Sequence, residues 1–149
     1  MSVKILLIGS GGREHAFAWK LSQSKKCEKL FIAPGNAGTK DCGENIDLDV
    51  KSFSAIKDFV LQNKVELVIV GPEEPLVNGI TDFFLADDQL KSIPVIGPTK
   101  AGALLEGSKD FAKEFMQKNS IPTAAFQTFT KDTLNDGIKF LETLNAPYV

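Results

Sequence analysis

A turn built from three glycines and an arginine joins the first apolar run of the chain to its first helical pattern. The run Ile5–Ile8 is typical of a strand buried on both faces, and the helical pattern starts near Arg13. Such a turn collects unpaired backbone N–H groups at the positive end of the helix dipole, and both favour an anion. We therefore expect a phosphate or ribose group here; the alternatives are a ligand-free tight turn and a solvated arginine. The residues expected to contact the ligand are Gly9, Gly11, Gly12 and Arg13.

The turn matches the dinucleotide fingerprint G-x-G-x-x-G only in part. Gly9 and Gly11 fit, but the third position is Glu14. The second predicted strand, Lys29–Ala33, has no acidic residue at its end to hold a ribose hydroxyl. The sequence therefore predicts a phosphate site that is not that of an ordinary NAD enzyme. A nucleotide-binding oxidoreductase built on the same sheet remains an alternative.

Polar residues also follow two later strands. Asn36 stands in a Pro-Gly-Asn turn, where it is a candidate ligand amide or an ordinary turn residue. Glu73 and Glu74 stand between two prolines and are candidates to accept hydrogen bonds from ribose hydroxyls or from an amine. The alternative is one exposed glutamate and one favourable charge at a helix N-terminus, so we expect a single functional glutamate. His15 is expected to be structural rather than catalytic.

The order of elements predicts that these turns meet. The first hundred residues alternate as β-α-β-(β)-α-β-α-β, which is typical of a Rossmann-like α/β fold with a parallel sheet and helices on both faces. In such sheets ligands bind outside the carboxyl ends of the strands. Beyond the first two strands, the predicted segments are a short extra strand at 46–50, a helix capped by Ser52, a strand at 65–70, one helix starting at Pro75 and a strand at 93–96. Pro94 favours an edge position for the last of these.

Composition excludes several classes of protein. The 149 residues are 43% hydrophobic and 24% charged with a net charge of −2, which suits a globular protein without a basic field for nucleic acid. No apolar run approaches the ~20 residues of a membrane helix, and no secretory signal is visible. Cys27 and Cys42 are expected to be free thiols in the cytoplasm, with a disulfide as the alternative, and one histidine and two cysteines without clustered spacing argue against a zinc site.

The pattern changes after residue 100. A short helix is predicted at 101–106, a longer one after Ser108, a strand at 125–129 and a helix at 133–145. Phe111, Phe115 and Met116 have helical spacing and are expected in a core. The last residues, from Pro147, are typical of the start of another strand, so we expect the N-terminal piece of a longer protein.

Four long segments together resemble one enzyme family. They are GSGGREHA at 9–16, APGNAGT at 33–39, VGPEEPLVNGITD at 70–82 and GPTKAGALLEGSKDFAKEFM at 97–116. In this order they resemble the glycinamide ribonucleotide synthetases, also called phosphoribosylamine–glycine ligases. The resemblance implies an N-terminal α/β substrate-binding domain at 1–100, a helical linker at 101–122 and the truncated start of an ATP-grasp domain at 123–149.

The resemblance also implies the chemistry. Members of this family join phosphoribosylamine and glycine in de novo purine synthesis, cleaving ATP to ADP and phosphate through a glycyl phosphate, with magnesium or manganese. It implies that the catalytic and metal-binding residues follow Val149, so this piece is expected to be inactive alone, to hold no cofactor, and to be a monomer or weak dimer. It places Lys109 near the ATP phosphates; the alternative is a surface lysine balanced by Asp110. A non-catalytic domain that packs against a partner chain is a third possibility.

Overall fold

The computed structural model of the chain describes residues 2–145. The chain divides into two compact units, Met1–Gly107 and Ser108–Val149. The predicted domain boundaries at residues 100 and 122 stay predictions. Among the described residues, no helix has both the length and the apolar character needed to cross a membrane.

A five-stranded sheet forms the centre of the first unit. Its strands are β1 (Val3–Gly9), β2 (Cys27–Pro34), β3 (Glu44–Asn45), β4 (Leu67–Val70) and β5 (Val95–Ile96). Their spatial order is β3-β2-β1-β4-β5, and every neighbouring pair is parallel. The predicted parallel α/β sheet is therefore confirmed. The strand after Pro94, β5, lies at the edge of the sheet. Proline favours this position because it has no backbone N–H to donate to a neighbouring strand.

Helices cover both faces of this sheet. They are α1 (Gly12–Ser22), α2 (Phe53–Asn63), α3 (Glu73–Val77), α4 (Ile80–Ala86) and α5 (Lys100–Gly107). Helix α1 packs on one face through Ala18 and Leu21. The other four helices supply apolar side chains to the larger cluster on the opposite face. Helix α2 begins where Ser52 accepts a hydrogen bond from the N–H of Ala55 at 3.3 Å, as the predicted cap requires.

The central strand β1 contributes to both clusters. Ile5 and Leu7 pack on the α1 side, whereas Leu6 and Ile8 pack on the side of the other helices. All four side chains are buried. A continuous apolar run has this result because successive side chains of a strand point to opposite faces.

Two details of the first unit differ from the prediction. The helix predicted from Pro75 is two helices, α3 and α4, because Gly79 at φ 94° takes the left-handed conformation between them. The strand predicted at 46–50 is absent. The apolar side chains there pack on the core. Only the N–H of Ile46 still donates to the neighbouring strand, to the carbonyl of Ile32 at 2.8 Å, and the short strand β3 forms two residues earlier, opposite Phe31 and Ile32.

Up to residue 145, the second unit contains two helices, α6 (Lys109–Lys118) and α7 (Leu134–Glu142). Ser108 caps α6 by accepting a hydrogen bond from the N–H of Phe111 at 3.2 Å, as predicted. A 3₁₀ turn at Lys131–Thr133 precedes α7. The rings of Phe129 and Phe140 lie 5.7 Å apart and join α7 to the segment before it.

Three predictions for the second unit are wrong or lie outside the described residues. Residues 125–129 form no strand, because the described part of this unit offers no other strand to pair with them. Phe111 and Phe115 are about 40% exposed rather than in a core, since no segment between residues 108 and 145 covers them. The strand predicted from Pro147 lies beyond residue 145.

Candidate functional site

The turns that leave β1, β2 and β4 are hydrogen-bonded to one another. The N–H of Gly35 donates to the carbonyl of Gly9 at 3.1 Å, and the N–H of Gly71 donates to the carbonyl of Ile8 at 3.0 Å. These bonds continue the parallel ladder past the ends of the strands. The glycine turn, residues 9–13, therefore lies between the turns that follow β2 and β4, at one edge of the sheet. We call the turn that follows a strand the exit of that strand.

Asn36 fastens the β2 exit to the glycine turn. Its Nδ2 donates to the carbonyl of Ser10 at 2.8 Å and lies 3.4 Å from that of Gly11. Its Oδ1 accepts from the N–H groups of Gly38 and Thr39 at 2.8 and 3.1 Å. The protein itself thus uses both the donor and the acceptor of this amide. Its predicted role as a ligand amide stays a prediction, and its observed role is to hold two turns together.

Glu14 is the buried acidic side chain of this edge. It is 4% exposed. Oε2 accepts a hydrogen bond from the N–H of Gly11 at 2.7 Å, and Oε1 accepts one from Nε of Arg13 at 3.0 Å. A buried carboxylate is costly unless it is paired, and here each oxygen has a partner. Glu14 therefore satisfies one of the free N–H groups at the N-terminus of α1 from within the chain.

Three glycines make room for the Glu14 side chain. A β-carbon on Gly9 or on Gly71 would overlap it, and one on Gly11 would lie 2.9 Å from Oε2. By contrast, a β-carbon on Gly12 would meet nothing within 4 Å. Part of the glycine content that predicted close approach by a ligand therefore serves close approach by Glu14. The first helical N–H groups, those of Gly12 and Arg13, have no preceding carbonyl to bond.

Arg13 links Glu14 to the β4 exit. Besides its bond to Glu14, its Nη2 lies 3.8 Å from Oε2 of Glu73. The hydrogen bond to Glu14, together with the charges of Glu14, Glu73 and Glu106, raises the pKa of the guanidinium above its ordinary value. The side chain is 51% exposed, so a charged group that is held by the protein still faces solvent.

The side chains of Glu73 and Glu74 form ion pairs with different residues. Glu73 pairs with Arg13, whereas Oε1 of Glu74 lies 3.1 Å from Nζ of Lys51. Only Glu73 therefore joins the cluster around the glycine turn. Both side chains are more than half exposed, so the ion pairs themselves contribute little stability.

The β5 exit meets the same edge across a cavity of about 440 Å³ between α1 and the ends of β4 and β5. Its walls are mostly apolar, with Arg13 and Lys20 as its charged members. Gly71 and Gly97 both line it, so the turns that follow β1, β2, β4 and β5 lie at one edge. The other lining residues are Phe17, Leu21, Ile69, Val70, Leu76, Ile96 and Pro98.

Lys109 belongs to the second unit, where it is the first residue of α6. Asp110 accepts a hydrogen bond from Thr128 and does not balance Lys109. Among the ion pairs of residues 2–145, none includes Lys109. Its assignment to ATP phosphates stays a prediction.

The described part of the chain contains neither a cluster of metal-binding side chains nor a disulfide. Between residues 2 and 145, no three His, Cys, Asp or Glu side chains are grouped closely enough to hold a metal ion. Cys27 and Cys42 are free and half-buried, and burial raises the pKa of the Cys27 thiol.

Comparison with known proteins identifies the family. The model of the family "Phosphoribosylglycinamide synthetase, N domain" matches residues 3–106. The chain belongs to this family. The match includes the whole sheet and the glycine turn, and the resemblance found in the sequence is thereby confirmed. The first unit therefore has the fold of a phosphoribosylglycinamide synthetase N domain.

Individual relatives of this N domain agree with the family match. The chain is 45% identical over 99% of its length to the phosphoribosylamine–glycine ligase of Caldanaerobacter subterraneus, and 47% identical to that of Pseudomonas putida. The crystal structure of the Thermotoga maritima phosphoribosylamine–glycine ligase matches 93% of the chain and 30% of its own, with a TM-score of 0.62 and 33% identity. The chain spans about a third of the length of the curated relatives it matches.

Glu14 is the member of the site that the sequence reasoning did not assign. In the sequence it stands out as a departure from the dinucleotide fingerprint. An available signal was its place at the third helical position, where an acidic residue can bond back to the N-cap N–H. In this chain Glu14 takes the N–H of Gly11, a group that a pyrophosphate bound at such a turn would otherwise use.

Proposed function

We propose that this chain provides the part of a phosphoribosylamine–glycine ligase that holds the phosphoribosyl substrate. The observation that carries the proposal is the 45–47% identity to ligases of that name over 99% of the chain. The proposed reaction joins phosphoribosylamine and glycine into glycinamide ribonucleotide, with ATP cleaved to ADP and phosphate, in de novo purine synthesis. Because the chain spans about a third of those relatives, the activity proposed is that of the longer enzyme.

The proposed binding site is the edge where the strand exits meet. The N–H groups of Gly12 and Arg13 and the Arg13 guanidinium would bind the phosphate group, since all are donors at the positive end of α1. Gly9 and Gly11 would shape the turn, and Glu73 would accept a hydrogen bond from a ribose hydroxyl or from the amine. Support for the proposal comes from the 3.8 Å separation of Arg13 and Glu73, which sets a cation and an anion side by side. A phosphate group favours the cation, and an amine or a hydroxyl group favours the anion.

The proposal assigns Lys109 to the phosphates of ATP, and Mg²⁺ or Mn²⁺ to the longer enzyme. Supporting this use of Lys109 are its place in the first turn of α6 and its lack of a carboxylate partner among the described ion pairs. No three His, Cys, Asp or Glu side chains among the described residues are grouped closely enough to hold the metal, so no step proposed here passes through it. We also propose a cytoplasmic protein that is a monomer or weak dimer, in keeping with its two free cysteines.

The test is binding of glycinamide ribonucleotide to the 149-residue chain, measured by calorimetry or NMR. Arg13→Met is expected to weaken binding by roughly tenfold, the loss of about one charge-assisted hydrogen bond. Lys25→Met is the matched control because it also removes one positive charge, from the exposed turn before β2. We expect Lys25→Met to bind as the unchanged chain does. Equal affinities of all three proteins would contradict the proposal.

The oxidoreductase alternative is tested in the same samples with NADH. The Glu14 carboxylate takes the N–H of Gly11 and places a negative charge in the turn, which disfavours a pyrophosphate. We expect no saturable binding of NADH at micromolar concentrations. Saturable binding of NADH without binding of the ribonucleotide would favour the alternative.

A further inference from the structure

Arg13 folds back onto the residue that follows it in the sequence. Side chains one residue apart on a helix do not face each other, so the bond between Nε of Arg13 and Oε1 of Glu14 is not a result of helix geometry alone. It forms because Glu14 turns into the space left by Gly9 and Gly71 and is held there by the N–H of Gly11. A fixed carboxylate thus lies within reach of the arginine stem.

This bond fixes the direction of the guanidinium. Arginine has five N–H donors in a rigid plane, and Nε carries only one of them. With Nε bound to a buried oxygen, the guanidinium plane is held at this end, and its Nη2 lies 3.8 Å from Oε2 of Glu73. The side chain also lines the cavity at the ends of β4 and β5. The four remaining donors are therefore available at the edge of the sheet while the stem is tethered.

We propose that Glu14 is a positioning residue, which orients Arg13 for the anionic group of the substrate and does not itself touch the substrate. This inference rests on the function proposed above, because it takes a phosphoribosyl compound as the ligand. The carboxylate also keeps the Gly11 N–H occupied, so a phosphate is directed toward Gly12 and Arg13. Binding without such a tether would have to restrict a long, mobile side chain at an entropic cost.

Glu14→Gln separates the positioning role from a capping role. A glutamine side chain has one acceptor oxygen and one donor nitrogen in place of the two carboxylate oxygens, so only one of the two positions now bonded by the Gly11 N–H and the Arg13 Nε–H keeps an acceptor. If its oxygen keeps the bond to Gly11, its NH₂ group faces the Nε–H, and two donors repel. The cap is then retained while the tether of Arg13 is lost.

The tether can be observed without any ligand. Arg13 is the only arginine in the sequence, so its Nε–H gives a single NMR signal. In the unchanged chain we expect this signal to be protected from exchange with water, and in Glu14→Gln to exchange rapidly, near the position of a free arginine. An Nε–H signal with unaltered shift and exchange in Glu14→Gln would overturn the inference.

Binding of glycinamide ribonucleotide supplies the second readout. As the only change, Glu14→Gln is expected to weaken binding by roughly tenfold. In a chain that already carries Arg13→Met, it is expected to have no further effect. A purely structural role would weaken binding by the same factor in both backgrounds and would overturn the inference. If the unchanged chain binds no ribonucleotide, the proposed function fails, and the exchange of the Arg13 signal still decides whether Glu14 orients it.

Arg13→Lys keeps the inference testable if Glu14→Gln does not fold. This variant retains Glu14 and the positive charge, but the lysine ammonium has no fixed plane and cannot bond a carboxylate through one nitrogen while presenting two others. We expect it to bind the ribonucleotide as weakly as Arg13→Met does. Binding by Arg13→Lys as tight as in the unchanged chain would show that orientation through Nε is not needed.

Discussion

The Glu14 side chain fills the space that a β-carbon on Gly71 would occupy. The two residues lie far apart in sequence, one in the first turn of α1 and the other just after β4. Their contact joins the helix that begins at the glycine turn to the exit of a neighbouring strand. The absence of a side chain on Gly71 is therefore part of what allows a buried carboxylate to orient Arg13.

This contact predicts a large difference between two glycine-to-alanine changes. Gly71→Ala should lower the free energy of unfolding by about 1–3 kcal/mol, because its methyl group must displace Glu14 or shift the strand exit. Gly12→Ala is the matched control, since its methyl group meets no atom within 4 Å, and it should change stability by less than about 0.5 kcal/mol. Urea unfolding followed by the fluorescence of Trp19 measures both. Equal effects of the two changes would mean that Glu14 does not occupy this space.

The hydrogen bonds of Asn36 predict a structural cost for removing its amide. Asn36→Ala should lower the free energy of unfolding by about 1–3 kcal/mol, because it leaves the Ser10 carbonyl and the N–H groups of Gly38 and Thr39 without partners. Asn78→Ala is the control, since the side chain of Asn78 is exposed and forms no hydrogen bond with the described residues. Thermal unfolding of the two variants at the same pH compares them. A stability of Asn36→Ala equal to that of the control would exclude the fastening role.

The two neighbouring glutamates should differ in binding. Glu73→Gln should weaken the binding of glycinamide ribonucleotide by about fivefold, because Glu73 pairs with Arg13 at the proposed site. Glu74→Gln should leave the affinity unchanged, because Glu74 pairs with Lys51 instead. Calorimetric titration of both variants is the measurement. A larger loss in Glu74→Gln would place the substrate on the other side of α3.

The hydrogen bonds to the Asp87 carboxyl predict a contribution to the free energy of unfolding that depends on pH. A hydrogen bond from Lys57 at 2.5 Å, and a second from the N–H of Gln89, hold the pKa of the Asp87 carboxyl below its ordinary value. A carboxyl whose pKa is lower in the folded state stabilises the fold above its unfolded pKa and loses that contribution as the pH falls through its folded pKa. The unchanged chain should therefore be more stable than Asp87→Asn at pH 7, and the difference should shrink below about pH 4. Urea unfolding at pH 7, 5 and 3 checks this; a difference that does not depend on pH would contradict it.

Much of the fold follows from the sequence. The continuous apolar runs of β1 and β4 predict buried parallel strands, and Ser52 and Ser108 predict where two helices begin. The convergence of the strand exits follows from the parallel order alone. These features are local or depend only on topology, so one sequence is enough to predict them.

Other features depend on contacts between distant residues and were missed. The burial of Glu14 requires Gly71, which is more than fifty positions away, and no periodicity indicates that pairing. Local patterns also failed where packing decides. The alternation at 46–50 does not become a strand, because those side chains reach the core without a continuous ladder of backbone hydrogen bonds. Phe115 has helical spacing with Phe111, yet both are exposed because nothing in residues 108–145 packs over them.

We claim above all that the phosphoribosyl group binds at the sheet edge that contains the glycine turn. The direct test is the ¹⁵N–¹H NMR spectrum of the chain, recorded during titration with glycinamide ribonucleotide to millimolar concentration. We predict saturable shifts at the N–H groups of Gly11, Gly12 and Arg13, at the Arg13 Nε–H, and around Glu73, with little change at Lys25 in the turn before β2. Shifts confined to the start of the strands, or no shift at the glycine turn at any concentration, would contradict the claim.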